Sequence, residues 1–291
     1  MVSVDNYIDI NRHLWDSRVD YHFNSKFYNV TGFLEQGQSS LNDIDLKLLG
    51  DIRSKRILHL QCHFGMDTLS LVRDCGAGHV TGVDFSSKAI EKANELAQRL
   101  NLIEQVEFIC CNIYDLKDHL NEQFDIVYTS YGTIGWLPLL NEWADLIQYY
   151  LKPDGKFIMI EFHPVVWMFD TKFEQIQFSY FNHEPIIEQI DGTYADRQAP
   201  LSNGSVGWNH SLSEVFMALV TRNLQINIFN EYDYSPYSCL ENTIEINEKC
   251  FRIKNLDKKI PMVYAIKAIK QRVLEDNLLP PIAVPEEPLI K

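Results

Sequence analysis

The chain has 291 residues, 46% of them hydrophobic, enough to bury a substantial core as one domain with elaborations. Its formal charge of −14, with no basic run interleaved with aromatics, argues against nucleic acid and other phosphate-rich partners and favours a small-molecule ligand. Residues 1–15 lack the basic-then-apolar pattern of a signal peptide, no stretch approaches membrane-spanning length, and the six cysteines show no paired metal spacing. A reducing cytoplasm is the simplest setting, for a monomer or homodimer without membrane contact.

Residues 1–50 form an aromatic N-terminal extension, with a helix expected over 7–21 and a looser segment around Gly32 and Gly37. Its rings either cover one edge of the core or act as a helical lid, with Tyr21, His22 and Tyr28 offering polar tips on apolar bodies. A strand over 56–61 then runs into the loop Gln61-Cys62-His63-Phe64-Gly65, followed by a helix over 66–75 and a strand over 79–83 that ends at Asp84. Asp84 lies about 20 residues beyond the loop, the spacing at which a carboxylate meets the ribose of a nucleotide in a doubly wound sheet. Its competing reading is a carboxylate that merely stabilises the next helix.

Ser86 or Ser87 caps the next helix, over 86–101, where Ala89, Ile90, Ala93, Leu96, Ala97 and Leu100 recur at helical spacing. Strands follow over 105–109, 124–129 and 156–162, with helices over about 115–121 and 138–151, the latter opened by Pro138. The alternation implies a parallel sheet with helices on both faces, so ligands are expected at the carboxyl ends of the strands. Thr129, Ser130 and Tyr131 end one strand there, and His163 ends the next. Beyond Glu161, a β-rich run over 173–181 and another over 186–190 suggest a hairpin within an inserted cap, 163–207, followed by turn-rich sequence near 199–204. A helix over 211–223 returns to the core, and strands over 225–232 and 262–269 close the sheet. Trp208, Asn209, His210, Tyr194 and Arg197 can face the same cavity or simply pack the insertion on the core. The segment 271–291 is a Pro-rich arm, extended or disordered.

The loop bears on the ligand. A dinucleotide fold wants three glycines for close approach of a pyrophosphate, and here only Gly65 remains, with Gln61 and His63 crowding the approach and no Lys or Arg in compensation. The helix beginning near Met66 suits a single carboxylate. S-adenosylmethionine, with adenine, ribose and one carboxylate, fits better than a nicotinamide dinucleotide.

These features resemble the class I S-adenosylmethionine-dependent methyltransferases of the small soluble bacterial type. The likeness rests on Cys62 and Gly65, Val83-Asp84-Phe85-Ser86, Phe124-Asp125-Ile126-Val127 and Leu151-Lys152-Pro153-Asp154-Gly155, across residues 50–165 and more loosely to 270. His59, Gln61 and His63 stand where that family usually has an acid and two glycines. The resemblance implies an α/β, doubly wound, Rossmann-like and mostly parallel seven-stranded sheet over 51–270, with an antiparallel edge strand and the β-hairpin insertion. It implies cofactor contacts from Tyr21, Tyr28, Gln61, Cys62, His63, Gly65, Asp84, Phe85, Asn112, Ile113, Thr129 and Ser130, with Asn112 accepting from the adenine amino group and Phe85 and Ile113 flanking the ring. Catalysis is assigned to Tyr131, His163 and His210, either histidine serving as a base if the small-molecule acceptor must lose a proton. His59, Cys62 and His63 lack further ligands, so no metal is expected. The expected reaction is methyl transfer to N, O or S by direct displacement. The rival readings are a nicotinamide-dependent oxidoreductase and a non-catalytic binding protein of the same fold.

Overall fold

A computed structural model describes residues 6–272. The N-terminal part is helical: α1 (Tyr7–Phe23), α2 (Val30–Glu35) and α3 (Asp43–Leu49), the last begun by a capping box between Asn42 and Asp45. Short runs of apolar residues then alternate with helices: β1 (Arg56–Leu60), α4 (Met66–Arg73), β2 (His79–Asp84), α5 (Ser87–Arg99), β3 (Val106–Cys110), β4 (Phe124–Ser130), α6 (Leu140–Tyr150) and β5 (Leu151–Phe162). Ser86 caps α5 by accepting from Ala89 N. The segment expected as a helix over 115–121 is instead a 3-10 turn, Ile113–Asp118.

The seven-stranded sheet runs β3-β2-β1-β4-β5-β11-β8, where β8 is Leu224–Tyr232 and β11 is Val263–Lys270. Strands β1 to β5 pair in parallel, while β11 lies antiparallel between β5 and β8. The antiparallel strand therefore sits one place in from the edge. Strand alternation sends Ile126, Ile158 and Ile160 into one apolar cluster with α3, α4 and α5. It sends Val127, Phe157 and Met159 into a second cluster with α6 and α7 (Leu212–Val220).

The insertion departs from expectation. Residues 173–181 form no strand; Phe169 and Ile176 make one isolated bridge, and the amides of Gln177 and Phe178 both donate to Met168 O. The hairpin pairs β6 (Ile186–Asp191) with β7 (Ser202–Gly207), so its second strand falls in sequence expected as turns. Small polar residues such as Asn203 and Ser205 carry little strand propensity of their own, and pairing supplies the order. A further hairpin, β9 (Thr243–Asn247) with β10 (Cys250–Ile253), precedes β11. Of the expected Pro-rich arm, all but Gln271 and Arg272 lie outside the described residues. No helix among the described residues is long and apolar enough to cross a membrane.

Candidate active site

A cavity of about 1050 Å³ opens over the carboxyl ends of the parallel strands, as an open α/β sheet requires. Its floor is the β1–α4 loop. Gln61, His63 and Gly65 take φ of 55°, 50° and 75°, so two side chains occupy the left-handed conformation that glycine adopts freely. Local bonds offset that strain: Gln61 Nε2 donates to Thr133 O at 2.9 Å, and His63 Nε2 lies 3.0 Å from His22 Nδ1. Cys62 and Phe85 also line the cavity.

Asp84, 7% exposed, ends β2 on the cavity wall. Its two carboxylate oxygens accept from His63 N at 2.8 Å and Ser86 N at 2.9 Å. Burial pushes its pKa up to about 6 despite those bonds.

The roof comes from α1 and the insertion. Trp15, Arg18 and His22 reach the cavity or its lining rings along one helical face. Tyr28 stacks on His22 and shares a 2.5 Å hydrogen bond with the Tyr194 hydroxyl. Tyr21 is a correction: one residue round the helix from His22, it faces a separate surface hollow with Asn24 and Asp196. Sequence reasoning missed Trp15 and Arg18.

The remaining wall follows β4 and β5. Ser130 Oγ donates to Asp67 at 3.0 Å, and Tyr131, at φ 46°, donates its hydroxyl to Asp45 at 3.2 Å. Tyr128 donates to the other Asp45 oxygen at 2.6 Å. Burial, reinforced by Asp67, raises the Asp45 pKa to about 6. Glu161, 1% exposed, accepts from Gly132 N at 2.5 Å, Thr133 N at 2.7 Å and Ile134 N at 3.1 Å, which fixes the turn carrying Tyr131. An acid inside the apolar run 156–162 was the available signal for Glu161.

Four other expected residues do not reach the cavity. Asn112 turns its side chain to cap the 3-10 turn, accepting from Tyr114 N at 3.3 Å, and Ile113 points into the α6-side core. Thr129 is fully buried, donating toward Thr133 Oγ1 and Leu60 O. His163 continues the β5–β11 pairing through its amide and turns its ring toward β8, where Nε2 lies 3.0 Å from Glu231. His210 does line the cavity, with Nε2 donating to Leu137 O at 2.7 Å, and burial lowers its pKa so that the ring stays neutral. Asn209, Trp208, Tyr194 and Arg197 are also on the wall, Arg197 paired with Glu241 at 2.9 Å. Among the described residues no three His, Cys, Asp or Glu are grouped to hold a metal.

The β3-β2-β1-β4-β5 parallel order extended by an antiparallel strand, here with an acid ending β2 above a tight β1 loop, is a fold shared with solved S-adenosylmethionine-dependent methyltransferases. Residues 53–198 match the family model described as a methyltransferase domain, and the chain belongs to that family. The 2-phytyl-1,4-naphtoquinone methyltransferases of Nostoc sp. and Trichormus variabilis are each 30% identical over 136 residues, 46% of this chain. That match spans 58% of each relative. Among solved structures, an S-adenosylmethionine-dependent methyltransferase from Mesorhizobium loti shares the fold with a TM-score of 0.51 and 16% identity, over 77% of this chain and 94% of that one. Geranyl diphosphate C-methyltransferase from Streptomyces coelicolor, solved with S-adenosyl-L-homocysteine, gives 0.51 and 15% over 77% and 76%.

The cofactor of this class is S-adenosylmethionine, and the residues present fit it. Arg18 Nε, His59 Nε2, Gln61 Oε1, Asn209 Oδ1 and Tyr264 Oη are buried without hydrogen-bond partners, and all five residues line the cavity. Buried polar atoms left unpaired are costly, and a polar ligand satisfies them.

Proposed function

We propose that the protein transfers a methyl group from S-adenosylmethionine to an N, O or S atom of a small acceptor with a largely apolar body. The observation that carries this reading is the pairing of Asp84 and the β1–α4 loop with a cavity whose outer wall is aromatic and aliphatic: Phe169, Phe173, Phe178, Leu240 and Phe251. A volume of about 1050 Å³ is at the upper end for a single ligand, leaving room for an acceptor beside a nucleoside.

When bound, S-adenosylmethionine supplies a methyl group already activated on a sulfonium. The protein's share is then alignment and exclusion of water. Asp84 accepts from the ribose hydroxyls, and the α1 roof keeps the chamber dry. Tyr131 orients the acceptor, and Asp45 Oδ2, reached through the Tyr131 hydroxyl, is the place for any proton the acceptor releases. His210 is held neutral with Nε2 occupied, which suits it to orientation. His163, off the wall, takes no part. A pyrophosphate would meet the side chains of Gln61 and His63 and the carboxylates of Asp67 and Asp84, which disfavours a nicotinamide cofactor.

Calorimetry with S-adenosylmethionine, S-adenosylhomocysteine and NAD, followed by transfer of isotope-labelled methyl to apolar phenols, amines and thiols, tests the reading. Binding of both sulfur nucleosides with label transfer is expected. Preferential binding of NAD would overturn it.

A further inference from the structure

Arg18 is 4% exposed, lies on the cavity wall, and leaves Nε without a hydrogen-bond partner. Among the described residues no carboxylate forms an ion pair with it, whereas the exposed arginines of the surface are paired. The face of Trp15 lies 5.4 Å from its guanidinium. Removing a guanidinium from water without a counter-charge is expensive, and Arg is the side chain whose planar fork matches a carboxylate.

The groups around it cannot neutralise it. His22 and His63 face one another at 3.0 Å, and His22 Nε2 lies 3.0 Å from Thr193 Oγ1. Burial holds both rings in the neutral form. Tyr28 and Tyr194 are joined hydroxyl to hydroxyl and remain phenols.

The position is informative as well. The Trp15 ring beneath the guanidinium packs at 5.3 Å on the His63 ring, and the His63 amide donates to Asp84. Arg18 and the ribose-side carboxylate thus flank the same loop. The start of α4, which the sequence offers as a carboxylate site, already holds Asp67 in its first turn, facing the cavity. That carboxylate competes for the free amides and repels a second anion.

We propose that Arg18 receives the carboxylate of the α-amino-acid head of the bound nucleoside, so that the N-terminal helix supplies the positive charge the β1–α4 loop lacks. The inference rests on S-adenosylmethionine as the cofactor. An acidic acceptor could present the same chemistry, and two nucleosides separate the sources. S-adenosylhomocysteine carries the amino-acid head; 5′-methylthioadenosine keeps the adenosine and thioether without it.

The experiment is calorimetric titration of the full chain with each nucleoside, for wild type, Arg18→Lys and Arg18→Gln. Arg18→Gln is expected to weaken S-adenosylhomocysteine by about ten- to a hundredfold and 5′-methylthioadenosine by no more than about twofold. Arg18→Lys, which keeps the charge and loses the fork, falls between. The ligand-free Arg18→Gln protein should melt no earlier than wild type, because the change removes a buried unpaired charge. Equal weakening of both nucleosides, or of neither, overturns the assignment while leaving the cofactor reading intact, and the second result transfers the anion site to the acceptor. Wild type binding neither nucleoside overturns both.

Discussion

Trp143 and Arg18 are both almost completely buried, but their surroundings have little in common. Trp143 lies under the sheet, edge-on to Phe157 at 5.4 Å and among Ala144, Ile147 and Val215. Arg18 belongs to α1, whose buried face is Asn11, Leu14, Arg18, Val19 and His22, mostly polar. The roof is fastened by directional bonds: the Asn11 amide donates to Val206 O at 2.8 Å and accepts from Val206 N at 3.0 Å, and Asn203 reaches Ser17. The sheet is held by a large buried apolar area, whereas the roof rests on a few directional bonds whose partners water can replace. The sheet is therefore expected to be the rigid half, and the roof the part that opens at lower free energy.

The largest effect belongs to the sheet. Phe157→Ala, at a fully buried position, is expected to cost about 3–5 kcal/mol in urea unfolding, felt by the whole domain. Asn11→Ala should cost about 1–3 kcal/mol, confined to the roof. Hydrogen exchange would then quicken in α1 and β7 while β1 and β4 keep their protection; equal acceleration in all four would show that the two regions form one cooperative unit.

Next is pH. The Asp84 pKa stands raised to about 6 in the free protein, and a ribose contact favours the carboxylate. If Asp84 meets the ribose as proposed, nucleoside affinity should be full above that value and decline as pH falls through it. Asp84→Asn should lower affinity about tenfold at neutral pH and flatten the profile in calorimetry. Stability runs the other way for this group. A raised carboxylate contributes most below its unfolded value and loses that contribution as pH climbs through about 6. His63 and His59, lowered to about 3 and about 4, contribute above their ordinary 6.5 and lose it on acidification, so the His63–His22 contact should weaken as the medium turns acidic. The smallest effect on function is expected from His163→Ala: the buried ring packs on Tyr264 and accepts from Val165 N, so its loss should cost about 1–3 kcal/mol of stability, yet binding and turnover should not change. A lost ionisation in the pH–rate profile of that variant would return His163 to the reaction.

The same contrast explains what could be read from the sequence. The stripe Ala89, Ile90, Ala93, Leu96 and Ala97 marks α5 because a sheet-packing face repeats at helical spacing. Asp84 and the 61–65 loop are legible because a strand, a turn and a strand-end acid follow in short order. Helix α1 has no apolar stripe to set its phase, so Tyr21 could not be told from His22 as the residue turned inward. Asn11 meets Val206 across 195 positions, and Tyr131 meets Asp45 across 86, separations that local pattern does not register. The β9–β10 hairpin did leave a trace, the alternation Ile244-Glu245-Ile246, and the 186–207 hairpin left half of one.

Strand β11 sits between β5 and β8, yet it is the last strand of the described chain, and Val263 must find Phe162 about a hundred residues back. While the polypeptide is being made, β5 and β8 each present a bare row of amides and carbonyls until Lys270 has emerged from the ribosome. Strands left open in this way are templates for pairing with the wrong partner. Synthesis arrested between β8 and β11 should yield nascent chains with the parallel half formed and a strong tendency to associate, and release of the last strand should resolve them in a single late step.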